Sequence, residues 1–200
     1  MCRQCLLLSG SLDMRLSPLA APHPLSSVLR LGLYRRVLPA PGLSPMGRSL
    51  LAFKYSGDRR AGRKLARLFA SSIVRQPRIP DLVTAIPLSP GRLAKRGFNQ
   101  SAWLARAAAR ALQSPLDLGL LKRNAGPGAQ VGLNAQLRLT NLRTAFCARR
   151  RLEGGPRVLL IDDVMTTGAT LSAAATAILD AGAAQVDAAV LASTQHPGQL

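Results

Sequence analysis

The chain has 200 residues and is 48% hydrophobic but only 4% aromatic. This fits one domain with a core of Leu, Ala, Val and Ile, and excludes a disordered or collagen-like chain. Its 27 basic residues against 9 acidic ones give a formal net charge of +18, which indicates an anionic partner, either a phosphorylated metabolite or nucleic acid. A base-composition bias toward Arg codons explains the charge equally well. The three cysteines are too few for a disulfide framework and favour a reducing cytoplasm.

Residues 1–45 are predicted to form an irregular N-terminal segment, because prolines recur through them and leave room only for short elements. Cys2 and Cys5 have the spacing of half a zinc ribbon. A ribbon needs a second pair of ligands, which Cys147 alone does not supply, so we expect no metal site. The apolar run at residues 6–8 is too short for a secretory signal. No run approaches the ~18 apolar residues of a membrane span, and we expect no membrane association.

The first regular elements are predicted between Asp58 and the middle of the chain. A helix is expected after Asp58, a suitable N-cap, because apolar residues then recur at three- and four-residue spacing. A short buried strand is predicted at residues 82–86, followed by a loop that prolines interrupt. A second helix follows the sequence RGFNQS at residues 96–101, with Asn99 or Ser101 as its cap.

The second half of the chain continues the alternation of strand and helix. Apolar runs predict strands at residues 116–121, 157–163 and 186–191. An apolar stripe predicts a helix that begins near Leu171 and ends at Gly182. Strands that alternate with helices predict an α/β fold, in which a parallel sheet is flanked by helices.

The stretch VLLIDDVMTTGAT at residues 158–170 contains the clearest sign of a binding site. A buried apolar run ends in two adjacent carboxylates, Asp162 and Asp163, which repel each other unless cationic or hydrogen-bonding partners surround them. In parallel sheets, ligands gather at the carboxyl ends of the strands. Small residues then lead into a helix, whose N-terminal N–H groups favour an anion. These are Thr166, Thr167, Gly168, Ala169 and Thr170.

Carboxylate acceptors beside a cradle of donors match a sugar phosphate. Its hydroxyls can donate to the carboxylates while its phosphate accepts from the turn, where Gly168 permits a positive φ. The alternative is a capped strand-to-helix turn with a solvated acid pair, although one Asp would suffice for a cap. A P-loop and a dinucleotide fingerprint are excluded, because neither glycine pattern is present.

IDDVMTTGAT at residues 161–170 resembles the phosphoribosyl pyrophosphate (PRPP) binding motif of type I phosphoribosyltransferases. Three further stretches resemble the ComF family, a competence-associated branch of that superfamily. They are FKYSGD at residues 53–58, RLAKRGFNQS at residues 92–101, and a spaced pattern across Gln130, Leu133, Arg138, Asn141 and Phe146. The four motifs share the family's order.

The resemblance implies a Rossmann-like, type I phosphoribosyltransferase-like domain at residues 46–200. It also makes Cys2 and Cys5 the remnant of a zinc ribbon with which members of the family usually begin. The superfamily is often dimeric, so a homodimer is the assembly that the resemblance implies.

The superfamily's binding roles can be placed on this chain. Asp162 and Asp163 would contact the ribose hydroxyls, and residues 166–170 would hold the 5-phosphate. The loop that includes Ser89 and Arg92 would approach the pyrophosphate. Mg²⁺ would bind through PRPP oxygens, with few protein ligands, in keeping with its tendency to retain waters.

Basic side chains near this face are candidates to stabilise the leaving pyrophosphate. Arg92, Lys95 and Arg96 form one group, for which a solvated basic turn is the alternative. Lys54 reaches a phosphate, or covers the sheet edge with its stem. Arg138 lies in the polar stretch 123–141, which we expect to act as a mobile hood over pyrophosphate. A surface helix residue is the alternative for Arg138.

Two functions from different classes follow. The first is an enzyme, with Asp162, Asp163 and Arg138 as catalytic residues, that transfers phosphoribose from PRPP to an unidentified acceptor and releases pyrophosphate. The second is a non-catalytic PRPP-binding or DNA-handling accessory of competence, whose basic surface would hold single-stranded DNA. The interleaved aromatic residues that stack single-stranded bases are absent, since Trp103 is the only tryptophan.

Overall fold

The computed structural model describes residues 15–18, 23–33, 45–76, 78–124 and 145–193. Strands and helices alternate through most of these ranges. In chain order they are β1 (Arg15–Pro18), β2 (Ser27–Leu33), α1 (Pro45–Tyr55), α2 (Arg59–Ile73), β3 (Leu82–Ala85), α3 (Pro90–Arg96), α4 (Gln100–Leu112), β4 (Leu121–Arg123), β5 (Phe146–Ala148), β6 (Arg157–Met165), α5 (Ala169–Asp180) and β7 (Gln185–Ser193).

The main sheet has five strands in the order β1-β2-β7-β6-β3. β1 is antiparallel to β2, and every other pair of neighbours is parallel. β4 and β5 form a separate antiparallel ribbon, in which Lys122 lies opposite Cys147. The predicted α/β fold, a parallel sheet flanked by helices, is confirmed.

Strand β6 lies at the centre of the packing and is covered on both faces. Leu159 and Ile161 belong to a core that includes residues of α1, α2 and α4, whereas Val158 and Leu160 belong to a second core with α5. Each of the four side chains is at most 2% exposed. Because successive strand residues point to opposite faces, an unbroken apolar run is the sequence that such a strand requires.

The predicted helix starts are confirmed by their capping geometry. Asp58 caps α2 by accepting hydrogen bonds from the N–H groups of Arg60 and Ala61. Asn99, and not Ser101, caps α4, because its side chain accepts from the N–H groups at the start of that helix. The third predicted helix is α5.

The predicted strands at residues 82–86, 157–163 and 186–191 correspond to β3, β6 and β7, with ends shifted by one or two residues. The strand predicted at 116–121 is wrong. Leu116 makes only an isolated bridge to Val83, and the ladder begins at Leu121. The Asp117 side chain accepts a hydrogen bond from the Gly119 N–H, which folds the intervening residues into a turn.

Two helices within the described ranges were not predicted. α1 does have an apolar stripe of Met46, Leu50 and Phe53, each at most 6% exposed, but it begins where the irregular segment was expected to end. α3 has seven residues and none of them is buried. It therefore has no apolar periodicity from which a helix could be predicted.

The segment before residue 46 contributes β2 to the main sheet. β2 pairs in parallel with β7, and its Val28 and Leu29 are buried. The stretch between prolines 24 and 39 is free of proline, which leaves room for this strand. Cys2 and Cys5 lie outside the described residues, and the domain boundary at residue 46 stays a prediction. No described helix is long and apolar enough to cross a membrane.

Candidate active site at the carboxyl edge of the sheet

The acid pair lies near the carboxyl end of β6, as the sequence predicted, just after the last residue that pairs with β3 and still beside β7. Each carboxylate has a different partner. Asp162 Oδ1 accepts hydrogen bonds from Ser101 Oγ at 2.7 Å and from the Asp163 backbone N–H at 2.8 Å. Asp163, which is only 8% exposed, pairs with Lys54, whose Nζ is 2.9 Å from Asp163 Oδ2. One acid is therefore held by neutral donors and the other by a cation.

The surroundings of Asp162 disfavour its ionised form. Burial, followed by the charge of Asp163, raises the pKa of Asp162 from 3.8 to about 7. The hydrogen bonds from Ser101 and the Asp163 N–H oppose this shift, as does Lys54. The Asp162 carboxyl is therefore close to its protonation midpoint at neutral pH, which is a property of many functional sites.

Ser101 is positioned by the start of α4. Asn99 Oδ1 accepts from the Ser101 N–H at 3.0 Å, and Asn99 Nδ2 donates to the Ile86 carbonyl at 2.9 Å. The cap thus ties the helix to the end of β3. Ser101 is 3% exposed, so its hydroxyl reaches Asp162 from a fixed position.

Lys54 is positioned by Phe53, its neighbour on α1. The Phe53 ring is fully buried and lies 5.0 Å from the Phe98 ring and 5.4 Å from the Trp103 ring, centroid to centroid. α2 approaches this ring so closely that a Cβ on Gly62 would overlap it. The packing of α1 against α2 and α4 therefore fixes the lysine that pairs with Asp163.

The Thr/Gly turn begins α5 beside the acid pair. Gly168 has a φ of 77° and occupies the N-cap position of α5, a conformation that glycine adopts without strain. The Thr167 hydroxyl oxygen accepts from the Ala169 N–H at 3.4 Å. Thr166 and Thr170 face the same cleft as the two aspartates. The structure thus brings the acid pair and the turn together, as the sequence predicted.

The cleft has a volume of about 730 Å³ and is rich in basic side chains. Of the residues predicted from the sequence, Lys54, Arg92, Lys95 and Arg96 line it. Ser89 is the N-cap of α3 and does not line it. Arg138 and residues 125–141 of the predicted hood lie outside the described residues, whereas Arg123, with which the hood was predicted to begin, lies on β4.

Three polar residues of the lining were not predicted as site residues. Ser101 was considered only as a helix cap. Tyr55 is 70% exposed, and the Arg96 guanidinium lies 5.2 Å from the centre of its ring. Arg123 lies at the end of β4, with its guanidinium 5.2 Å from the Phe146 ring centre. Burial, and then the nearby charge of Arg92, lowers the pKa of Arg123 below the ordinary value of a guanidinium. The sequence signals for these residues were the placement of Ser101 and Tyr55 in FNQS and FKYSGD, and that of Arg123 at the first position of the predicted hood.

The donor set of the cleft fits Mg²⁺ that is bound through a substrate. Among the described residues, no group of three or more His, Cys, Asp or Glu side chains could hold a metal ion. Asp162 and Asp163 do provide carboxylate oxygens. Mg²⁺ prefers oxygen ligands and is commonly bound by one or two carboxylates together with waters and substrate phosphates.

Comparison with known proteins agrees with this geometry. A family model described as the phosphoribosyl transferase domain matches residues 99–199. DNA utilization protein YhgH of Escherichia coli K12 is 33% identical over 160 residues, which cover 78% of this chain and 69% of that protein. Competence protein F of Haemophilus influenzae is 32% identical over 137 residues, which cover 65% of this chain and 60% of that protein.

A solved structure supports the fold. Glutamine phosphoribosylpyrophosphate amidotransferase from Bacillus subtilis superimposes with a TM-score of 0.51 and 22% identity, over 70% of this chain. The chain covers only 30% of that enzyme, so the likeness concerns the fold alone. Together with the family match, it defines a phosphoribosyltransferase-like domain. Within that class, the chain belongs to the ComF family.

Proposed function

We propose that the chain binds PRPP in this cleft and transfers its phosphoribosyl group to an acceptor, with release of pyrophosphate. The observation that carries the proposal is the meeting of Asp162 and Asp163 with the Thr166 and Thr170 side of the turn in one cleft. Such an arrangement offers acceptors to the ribose hydroxyls and donors to the 5-phosphate. The family membership supports the same ligand.

The acid pair is prepared for a ligand that donates hydrogen bonds. Lys54 compensates the charge of Asp163, while Ser101 holds Asp162 in place. Asp162 has a raised pKa, and a ribose hydroxyl that donates to it would favour its ionised form. Binding is therefore expected to draw Asp162 toward the carboxylate, with release of a proton in the neutral range.

Basic residues on the other side of the cleft would act on the leaving group. As the bond from the sugar to pyrophosphate breaks, negative charge grows on the pyrophosphate oxygens. Arg92, Lys95 and Arg96 line the cleft with Arg123, and fixed cations stabilise such charge most where water is excluded. When bound, Mg²⁺ would add positive charge to the pyrophosphate, with Asp162 and Asp163 as the nearest protein ligands.

Pyrophosphate release tests the enzymatic part of the proposal. The protein is incubated with Mg²⁺, PRPP and mixtures of bases, nucleosides and amines, and pyrophosphate is measured by a coupled assay. We expect one mixture to raise release at least tenfold above hydrolysis, and Arg92→Gln to lower that rate at least tenfold. Arg110→Gln, a change at an exposed position on α4, is the matched control and should be inert. No stimulation by any mixture would contradict the proposal.

A DNA-handling role is the second candidate, and a specific observation favours it. The net charge of +18 exceeds what one phosphorylated substrate requires, and one relative is named a DNA utilization protein. Single-stranded DNA held by this charge should dissociate steeply as salt rises. Binding with a steep salt slope, in a protein that holds PRPP without turning it over, would favour the accessory role over the enzyme.

A further inference from the structure

A second cavity lies at the opposite edge of the sheet, where the parallel strands begin. It has a volume of about 310 Å³. Its polar wall includes the first residue of each of three strands: Ser27 of β2, Arg157 of β6 and Gln185 of β7. Gln76 and Arg78, which follow α2, complete that wall, and Leu29 and Leu159 provide an apolar part.

Two buried hydrogen-bond donors in this cavity have no partner. Within the described ranges, three buried side-chain nitrogen or oxygen atoms lack a hydrogen bond, and two of them are Gln76 Nε2 and Arg157 Nε. Both residues line this cavity. An unsatisfied buried donor costs about 1–3 kcal/mol, so two in one place call for an acceptor from outside the chain.

The carboxylate in the cavity wall is already engaged by other donors. Asp187 is the acidic residue of the wall, and its Oδ1 accepts from the Ser27 hydroxyl. Its Oδ2 accepts from Gln185 Nε2 at 2.9 Å and lies 3.7 Å from the terminal nitrogen NH2 of Arg157. The wall therefore has two guanidinium groups, those of Arg78 and Arg157, against one carboxylate whose oxygens are both engaged.

We propose that this cavity is a second binding site, for a small oxyanion such as a phosphate or carboxylate group. Gln76 Nε2 and Arg157 Nε would donate to its oxygens, and Arg78 would add charge at the exposed rim. Planar Arg donors suit both kinds of group. The cavity exceeds one anion, since a water molecule occupies roughly 30 Å³ in the liquid, so Leu29 and Leu159 leave room for an organic body.

The second site is independent of the PRPP proposal but is connected to it through one strand. β6 has Arg157 at its first position and Asp162 five residues later, which is about 17 Å along a strand. Each site can therefore be lost without the other. This separation allows a test in which failure of one proposal is distinct from failure of the other.

NMR titration tests the site directly. The ¹⁵N-labelled full chain is titrated in parallel with inorganic phosphate and with succinate, at constant ionic strength. We expect the Gln76 side-chain NH₂ and the backbone amides of Ser27 and Arg78 to shift and saturate with at least one probe. The probe that binds more tightly identifies the phosphate or the carboxylate as the preferred group.

Two variants, each of which removes one of the proposed donors, then test which groups bind the anion. Arg157→Lys keeps the charge but removes the Nε–H, and Gln76→Leu removes the amide. Each should weaken binding at this site at least tenfold, whereas Arg110→Lys, a matched change on the exposed side of α4, should leave it unchanged. Unchanged spectra outside the cavity show that the variants fold. Linear shifts without saturation, shifts confined to residues 166–170, or equal binding by Arg157→Lys would overturn the proposal.

Discussion

Strand β6 has an apolar half, in which every side chain is packed in a core, and an acid half, in which two carboxylates depend on a few polar partners. From Val158 to Ile161 every side chain is packed on one of two apolar cores. One residue further, Asp162 and Asp163 are held by a lysine, a serine and a backbone N–H, and Asp162 still has a raised pKa. The core half of the strand is satisfied by apolar packing, whereas the acid half holds two adjacent carboxylates whose charges oppose each other.

The comparison explains why the residues around the acid pair come from separate parts of the chain. The apolar half of β6 fixes the position of its acid half. α1 and α4, which pack on that apolar half, bring Lys54 and Ser101 to the acids. A site in which like charges are adjacent must be held by the surrounding structure, because the charges themselves oppose it. Substitutions in the two halves of β6 should therefore change the free energy of unfolding by amounts that differ in size, sign and dependence on pH.

The largest effect is expected in the core half. Leu160→Ala removes a fully buried side chain and should lower the free energy of unfolding by about 3–5 kcal/mol, through lost apolar burial and a residual cavity. Urea denaturation followed by circular dichroism measures the change. Ile79→Ala, at a side chain that is 69% exposed, is the control and should stay within about 0.5 kcal/mol of wild type. A loss at Leu160 below 1 kcal/mol would contradict the packing described for β6.

Loss of the cation from the acid half should be the next largest effect. Lys54→Met leaves Asp163 buried without its partner, which should lower the free energy of unfolding by about 3 kcal/mol at pH 7.5. Adding Asp163→Asn should recover at least half of this loss, because the uncompensated charge is removed. Lys122→Met, at an exposed position on β4, is the control. If the double variant is no more stable than Lys54→Met, the ion pair does not have the role given to it here.

The third substitution, Asp162→Asn, should raise the free energy of unfolding rather than lower it, by an amount that depends on pH. The folded chain holds a proton on Asp162 up to about pH 7, whereas the unfolded chain releases it near pH 4. Protons bound in the folded state exceed those in the unfolded state within that window, so wild-type stability falls as pH rises through it. Solvent screens part of this shift because the carboxyl is partly exposed, so Asp162→Asn should raise the free energy of unfolding by about 1–2 kcal/mol at pH 8.

This gain should shrink toward zero near pH 4, where Asp162 is protonated in both states. The control Asp180→Asn removes an exposed carboxylate at the end of α5 and should show no such dependence. Urea midpoints measured between pH 4 and pH 8 give the comparison. A gain that is equal at all pH values would mean that ionisation of Asp162 is not its source.

The smallest effect concerns α2, the helix that packs against α1 and so helps to position Lys54. Asp58→Ala removes the side chain that caps α2 and should lower the unfolding temperature by a few degrees. Asp58→Asn preserves an acceptor and should lower it by much less. Thermal unfolding monitored at 222 nm measures both variants. Equal stability of Asp58→Ala and wild type would show that the α2 cap does not stabilise the fold.

The sequence predicted those features that depend on local chemistry. The apolar run and the two acids at residues 158–163 identified β6 and its acidic end, and Asp58 and Asn99 marked helix starts through their side-chain oxygens. The Thr/Gly turn was predicted for the same reason, since Gly168 and the threonines lie next to the acids along the chain. Residues that contact each other within one element leave a pattern in the sequence.

Features that depend on distant contacts could not be predicted in this way. Ser101 is 61 residues from Asp162 along the chain, and nothing near Ser101 shows that it faces a carboxylate. Lys54 was expected to reach a phosphate or cover the sheet edge, and the structure instead pairs it with Asp163. α3 lacked an apolar stripe, and the role of Arg123 depends on where the β4-β5 ribbon places it. The predicted roles of Arg92, Lys95, Arg96 and Arg138 toward PRPP remain predictions.

The most direct measurement is a calorimetric titration of the protein with PRPP in the presence of Mg²⁺. Wild type should bind in a saturable manner, and Asp162→Asn/Asp163→Asn should bind at least tenfold more weakly while its circular dichroism is unchanged. Glu153→Gln/Asp180→Asn alters the net charge by the same amount at exposed positions and should bind like wild type. Equal affinity of wild type and the acid-pair variant would contradict the assignment of this cleft to PRPP.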